Sequence, residues 1–464
     1  MLSRPKSTIA GAARFLATLS LAAAVAIAGS VSAFAQGVPV VRDAEIEALV
    51  RDYARPIFKA AGLANDGIDI VLVNDPSFNA FVTGRRLFIN TGALMEAETP
   101  NEIIGVIAHE AGHIAGGHQQ KLRDQLERAK TMAIIATLLG AGAIVAGATT
   151  NSRGLAGAGM GVAAGSGEMA QRSILAYQRT EEITADRSAI TYLNATGQSG
   201  MGMLKTFHRF QSALSLSGAQ VDPYRISHPM PQDRIGNLEV LVKQSPYVDK
   251  VDPPALQQRH DMMRIKIAVY MQGQAAASRL MRKNPGSLAS QYGDAQSAYL
   301  YGNLNAALTK TVALIKAQPK NPYFQELRGD ILMKANKPKD AAEAYSRAVG
   351  LDPVRSGLLP VSYGQALMAM GTPDALKKAV VQLSNGLGRD KENADGYRYL
   401  AQAYGELGDI PAADLATAEG HFYSGDYKNA KIFAMRAQQK LKRGEPGWLR
   451  AQDIINYAPA GKSK

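Results

Sequence analysis

The chain has 464 residues, 46% hydrophobic and 20% charged, with a formal net charge of +12 and no cysteine. That is enough apolar material for two or three packed domains. The missing cysteines exclude disulfides, thiolate metal ligands and cysteine nucleophiles, so any metal site must be built from histidine and carboxylate. No run of Lys/Arg is interleaved with aromatics, which argues against nucleic acid; attraction to an anionic membrane surface is the better reading of the basic balance.

Residues 1–35 have the grammar of a secretory signal peptide. Arg4, Lys6 and Arg14 form a positive n-region, Phe15 to Gly29 is an apolar core, and Ala33-Phe34-Ala35 is an A-x-A cleavage site before Gln36. The mature protein is therefore expected in the periplasm, soluble or membrane-associated; an uncleaved anchor is the competing reading.

Residues 36–251 read as one mixed domain. Ala44 to Ala61 has helical spacing of apolar residues, and Ile68–Val73, Phe78–Val82 and Arg86–Ile89 read as short strands with a Thr83-Gly84 turn between the last two. These predict a small antiparallel sheet. Thr99, Pro100 and Glu102 mark a helix start with a capping box, and the helix continues through Ile103, Ile104, Val106 and Ile107. Residues 132–167 form an apolar, Gly/Ala-rich insertion. Its Met132 to Ala148 part suits a buried helix or lid, a helix on the membrane surface, or a short span. A further helix is expected from about Glu168 to Leu193.

Residues 252–464 change to helix pairs. Gly302, Asn336, Gly371 and Gly408 mark turns 34, 35 and 37 residues apart, with Gly425 another 17 on. Ala307, Ala341, Leu376, Ala413 and Ala430 each follow such a turn by five residues. A period near 34 with a small residue at fixed offset predicts an all-α tetratricopeptide-type solenoid, a binding surface without chemistry of its own. The fold class is thus α+β, mainly α.

The chemistry starts at His109-Glu110-Ala111-Gly112-His113. Helix positions four apart lie one above the other, so both imidazoles can share one Zn²⁺, while Glu110 can reach a water and serve as general base. Two histidines leave the metal short of a ligand. Glu182 and Asp186, four apart on the later helix, supply a third ligand and a hydrogen-bond partner that orients a ligand imidazole. Ala185 permits close helix packing, and Glu181 is the competing carboxylate. His118 would lie nearly opposite His109 on a continuing helix and is read as structural. The remaining His208, His260 and His421 are read as structural without partners.

The runs HEAGHIAGGH, TEEITADR and SHPMPQDR (Ser227–Arg234) resemble the gluzincin peptidases of the HtpX and CAAX-prenyl-endopeptidase type. The order of signal peptide, peptidase domain and repeats resembles the BepA-like branch of that group. This resemblance implies a zincin-like domain in which His109, His113 and Glu182 bind one Zn²⁺ per chain and Glu110 is the base. It implies also that His228 can take the open metal position and hold the enzyme latent, with Arg234 in a structural or charge-stabilising role. Substrate backbone is expected to add to an edge strand at Leu87, Phe88, Ile89 and Asn90. Unfolded or misassembled exported proteins would be the substrates, and the repeats would hold outer-membrane assembly machinery. The alternative is a chaperone or scaffold whose repeats do the main work over a latent metal site.

Overall fold

Helix α1 (Ala44–Ala60) begins where Asp43 accepts a hydrogen bond from the Ile46 amide at 2.9 Å, and it turns Ile46, Leu49, Tyr53 and Ile57 into the core. The computed structural model describes residues 39–64, 67–149, 153–217, 228 and 232–458. The signal peptide expected over residues 1–35 lies outside them.

The sheet has strands β1 (Val40–Val41), β2 (Asp69–Val73), β3 (Ala80–Thr83) and β4 (Arg86–Asn90) in the order β1-β2-β4-β3. The sequence reading missed β1. The β3–β4 hairpin turns at Gly84, but β4 also pairs with β2 in parallel, Ile70 opposite Leu87 and Leu72 opposite Ile89. The sheet is therefore mixed, not antiparallel. This corrects the substrate-strand expectation as well. Leu87, Phe88, Ile89 and Asn90 lie on a central strand with both edges occupied, and β1 and β3 form the edges of the sheet.

After the short helix α2 (Thr91–Glu96), helix α3 (Pro100–Gly116) forms with the expected capping box between Thr99 and Glu102. Ile103, Ile104, Val106 and Ile107 are all buried, because neighbours enclose the helix on every side. Gly117, at φ +63°, breaks the helix and turns the chain into α4 (His118–Thr149). Helix α5 (Arg153–Ala195) returns against α4, so the two legs form a long hairpin. The helix expected from about Glu168 starts earlier, at Arg153, so the glycine-rich part of the 132–167 insertion from there on is helical in α5. Among the described residues no helix is long and apolar enough to cross a membrane. Helices α6 (Met201–Ser217) and α7 (Gln232–Lys243) complete the domain.

Helix α8 (Pro254–Ile267) belongs to two cores at once: Met263 and Ile267 pack into the core of the first domain, Met262 and Ile265 into that of the first helix pairs. A π-turn (Ala268–Gln272) and α9 (Gln274–Met281) lead to helix pairs: α10 (Leu288–Tyr301) with α11 (Leu304–Ala317), α12 (Pro322–Lys334) with α13 (Pro338–Leu351), and α14 (Leu358–Met368) with α15 (Pro373–Arg389). Two more pairs follow, α16 (Ala394–Glu406) with α17 (Ile410–Tyr423), and α18 (Tyr427–Gln438) with α19 (Pro446–Asn456). Ala307, Ala341 and Ala430 are fully buried where paired helices meet. The array curls back onto the first domain: Arg42 donates to Asp390 at 2.8 Å, and Arg86 pairs with Glu392.

Of the outlying histidines, His208 faces Glu239 at 3.3 Å and His421 stacks on Phe433. His260 on α8 is fully buried and is not partnerless. Its Nε2 donates to the Ala97 carbonyl at 2.9 Å, so Nδ1 accepts from the Tyr53 hydroxyl at 3.0 Å. Burial lowers its pKa from 6.5 to about 4. Between those values the unfolded chain binds the extra proton, so His260's contribution is complete above pH 6.5 and is lost as pH falls through 4. Acidification should thus cost up to about 3 kcal/mol through this group. Urea midpoints measured from pH 7 to 4.5 should fall less steeply for His260→Gln than for wild type; parallel profiles would exclude His260 as the source.

Candidate metal centre

Four donor groups converge between the helices. His109 and His113 come from α3, Glu182 from α5, and His228 from the chain between α6 and α7; one donor atom of each lies within 4.8 Å of the others, and all four residues are buried. The close approach of α3 and α5 makes this possible. A Cβ on Gly112 would stand 3.0 Å from the Ala185 Cα and 3.1 Å from its carbonyl oxygen, so a side chain there would push the third ligand away.

The spacing of the donors is informative. His109 Nε2 is 3.1 Å from His113 Nε2, 3.3 Å from His228 Nδ1 and 3.3 Å from Glu182 Oε2. Glu182 Oε1 is 3.4 Å from His113 Nε2 and 3.2 Å from His228 Nδ1. A tetrahedron with donor distances of about 2.0–2.1 Å has edges of about 3.3–3.4 Å, which is the scale of this cluster.

The histidines present the required faces. His109 Nδ1 lies 3.0 Å from Asp186 Oδ1, which fixes the proton there and turns the Nε2 lone pair into the cluster. His228 Nε2 lies 3.3 Å from the Ala80 carbonyl and 3.3 Å from Glu110 Oε1, so its proton sits on that side and Nδ1 faces Glu182. Arg234 on α7, fully buried over the Phe207 ring, donates to both oxygens of Asp186 at 2.8 Å and reaches Glu182 Oε2 at 2.8 Å. It thereby ties Glu182 and Asp186 together.

Charge then identifies what fits. Glu110, Glu182 and Asp186 are three buried carboxylates, of which one guanidinium, Arg234, pairs with the last two, and a divalent cation would close that balance. Without it the imbalance falls on the ligands. Burial lowers the His109 pKa, but its bonds to Asp186 and Glu182 outweigh that and bring it to about 10. Burial alone dominates at His113, held down at about 4. At Glu182 burial acts upward, yet the three histidines pull the carboxyl well below its ordinary range. Glu110 is raised by burial, and both its oxygens lack a hydrogen-bond partner among the described residues. A fully buried carboxylate without an aligned hydrogen bond, its Oε1 3.3 Å from His228 Nε2, beside a four-donor cluster fits a base poised over a metal position.

His118 is the residue the sequence reading placed wrongly. The break at Gly117 folds its ring back onto His113, with Nδ1 atoms 2.9 Å apart. Gly116-Gly117 was the available signal, since glycine in the left-handed region commonly ends a helix.

Residues 41–242 match the family profile described as Peptidase family M48. The Beta-barrel assembly-enhancing protease of Escherichia coli (strain K12) is 22% identical over 417 residues, which covers 88% of this chain and 81% of that protein. The protein of the same name from Yersinia pestis is 22% identical over 414 residues, covering 88% and 82%. Among solved structures, that of MamA covers 35% of this chain and 90% of its own at 20% identity, with a TM-score of 0.28. Residues 41–242, ahead of the helix pairs, are thus similar to peptidase family M48, and the chain is a metalloendopeptidase.

Proposed function

We propose that this is a zinc-dependent, periplasmic endopeptidase that acts on unfolded or stalled exported proteins during outer-membrane β-barrel assembly, held latent by His228. The observation that carries the reading is the convergence of His109, His113, Glu182 and His228 beside the unbonded Glu110. The short donor–donor spacing and the all-nitrogen-and-oxygen donor set favour zinc. The names of the relatives and the leader-like residues 1–35 support the setting.

Zinc bound there would polarise the scissile carbonyl and acidify an attacking water. Glu110, its basicity raised by burial, takes the proton from that water and passes it to the leaving amine. His109 and His113 hold the site through their Nε2 atoms, and Arg234 keeps Glu182 in place. The free edge of β3 receives the substrate backbone. Asn79 O already accepts from Asn90 N at 2.9 Å, so by the alternation of an antiparallel ladder Ala80 and Val82 face outward.

His228 supports latency twice over: Nδ1 fills a donor position in the cluster, and Nε2 covers the Ala80 carbonyl that a substrate strand would use. This same observation favours a second reading, a scaffold whose repeats hold assembly partners while the site stays closed. Met132, Ile134, Leu138 and Leu139, each more than 60% exposed on α4, offer an apolar face for peripheral membrane contact.

Casein proteolysis with bound zinc quantified separates the readings. Glu110→Gln should keep its zinc and lose activity by roughly 10²-fold or more. Glu182→Gln should lose zinc, and His228→Ala should cleave faster than wild type. Equal zinc in all variants with no cleavage would move the function to the scaffold. Leu138→Glu combined with Leu139→Glu should reduce co-sedimentation with anionic vesicles; unchanged binding would remove the membrane contact.

A further inference from the structure

His118 is buried, begins α4, and has no place in the ligand set or in the chemistry assigned above. Its position is nevertheless built by three consecutive residues. Gly117 adopts φ +63° and reverses the chain. A Cβ on Gly116 would lie 2.1 Å from His118 Nε2, so only glycine leaves room for the ring. The ring then packs edge-on against His113, centroids 5.0 Å apart at 85°.

Two short contacts define its protonation. His118 Nδ1 is 2.9 Å from His113 Nδ1, and His118 Nε2 is 2.5 Å from Glu181 Oε2. One proton must lie between the two Nδ1 atoms, and either ring could carry it. Were it on His118, His113 would accept it, keep its own proton on Nε2, and be unable to offer a lone pair to a metal. The Glu181 carboxylate decides the matter: no aligned hydrogen bond joins the two, but its negative charge beside Nε2 favours the His118 proton there. His118 Nδ1 is then the acceptor, His113 donates from Nδ1, and the His113 Nε2 lone pair faces Glu182 Oε1 and His109 Nε2.

We infer that Glu181 and His118 are positioning residues that fix the tautomer and orientation of His113 for metal binding. This rests on the metal-site reading above. The two histidine ligands are thereby served unequally: His109 meets its carboxylate, Asp186, directly, whereas His113 meets Glu181 through the intervening imidazole. Adjacent glutamates on α5 divide the tasks, since Glu182 enters the ligand set and Glu181, about 100° further round the helix, holds the relay.

Competition between the full-length protein and a chromophoric chelator for Zn²⁺ tests this without reference to activity. His118→Ala and Glu181→Ala should each weaken zinc binding by about 10- to 100-fold, the range for loss of an outer partner of a metal ligand. Because they act on one relay, the double variant should bind no more weakly than His118→Ala alone. His118→Gln, whose amide oxygen can accept from His113 Nδ1, should recover most of the loss. Affinity within twofold of wild type for His118→Ala would overturn the inference, as would multiplicative losses in the double variant or a Gln variant as weak as Ala. His113→Ala is the control. If it too keeps wild-type affinity, the metal-site reading has failed; if it alone loses zinc, only the relay has.

Discussion

Three buried carboxylates served by one guanidinium, which reaches only two of them, are the constraint to which this domain is shaped. An isolated ionised carboxylate in a dry interior costs several kcal/mol, and Arg234 can answer for only part of the charge on Glu110, Glu182 and Asp186. Arg234 is spent on Asp186 and Glu182. Glu110 is left to burial and to whatever occupies the ligand cluster. The geometry follows from that need. Gly112 lets α3 and α5 approach closely enough for Glu182 to reach both histidines, and the outer contacts of His109 and His228 turn lone pairs inward.

A second buried charge group joins the repeats to this domain. Lys266 on α8 reaches Asp43 at 2.7 Å and Glu45 at 3.1 Å, and the Tyr292 hydroxyl donates to Glu45 at 2.7 Å. Burial lowers the lysine pKa, but Asp43 and its neighbours outweigh burial and raise it well above its ordinary value. Asp43 also caps α1, so the start of the first peptidase helix and the first repeat share one carboxylate. With α8 contributing to both cores, the change of composition near residue 252 marks a change of architecture without a linker between the two parts.

Much of this was legible in the sequence because the signals were local. The capping box at Thr99, the four-residue spacing of His109 and His113, the Glu182–Asp186 pair and the 34-residue period all follow from geometry within one helix or one hairpin. What was not legible depends on contacts between distant segments. A hairpin turn at Gly84 says that β3 and β4 pair, but not that β4 also lies beside β2. Leu87–Asn90 was therefore assigned to an edge it does not form. His118 was misplaced for a more local reason. Its angle was reckoned along a continuing helix, although the two glycines before it interrupt that helix.

The hairpin of α4 and α5 is mechanically continuous with the metal centre. One leg starts at His118, and the other carries Glu182. From Arg153 to Glu182 the continuous α5 helix spans about 44 Å, while the contact of Ala185 with Gly112 lies only about 4.5 Å beyond Glu182. Pivoted at that contact, the leg is a lever with arms in a ratio near ten to one. A swing of about 10 Å at Arg153 becomes about 1 Å at Glu182 by that ratio. Metal–ligand distances are held to within about 0.2 Å, so a movement of that size separates a formed bond from a broken one.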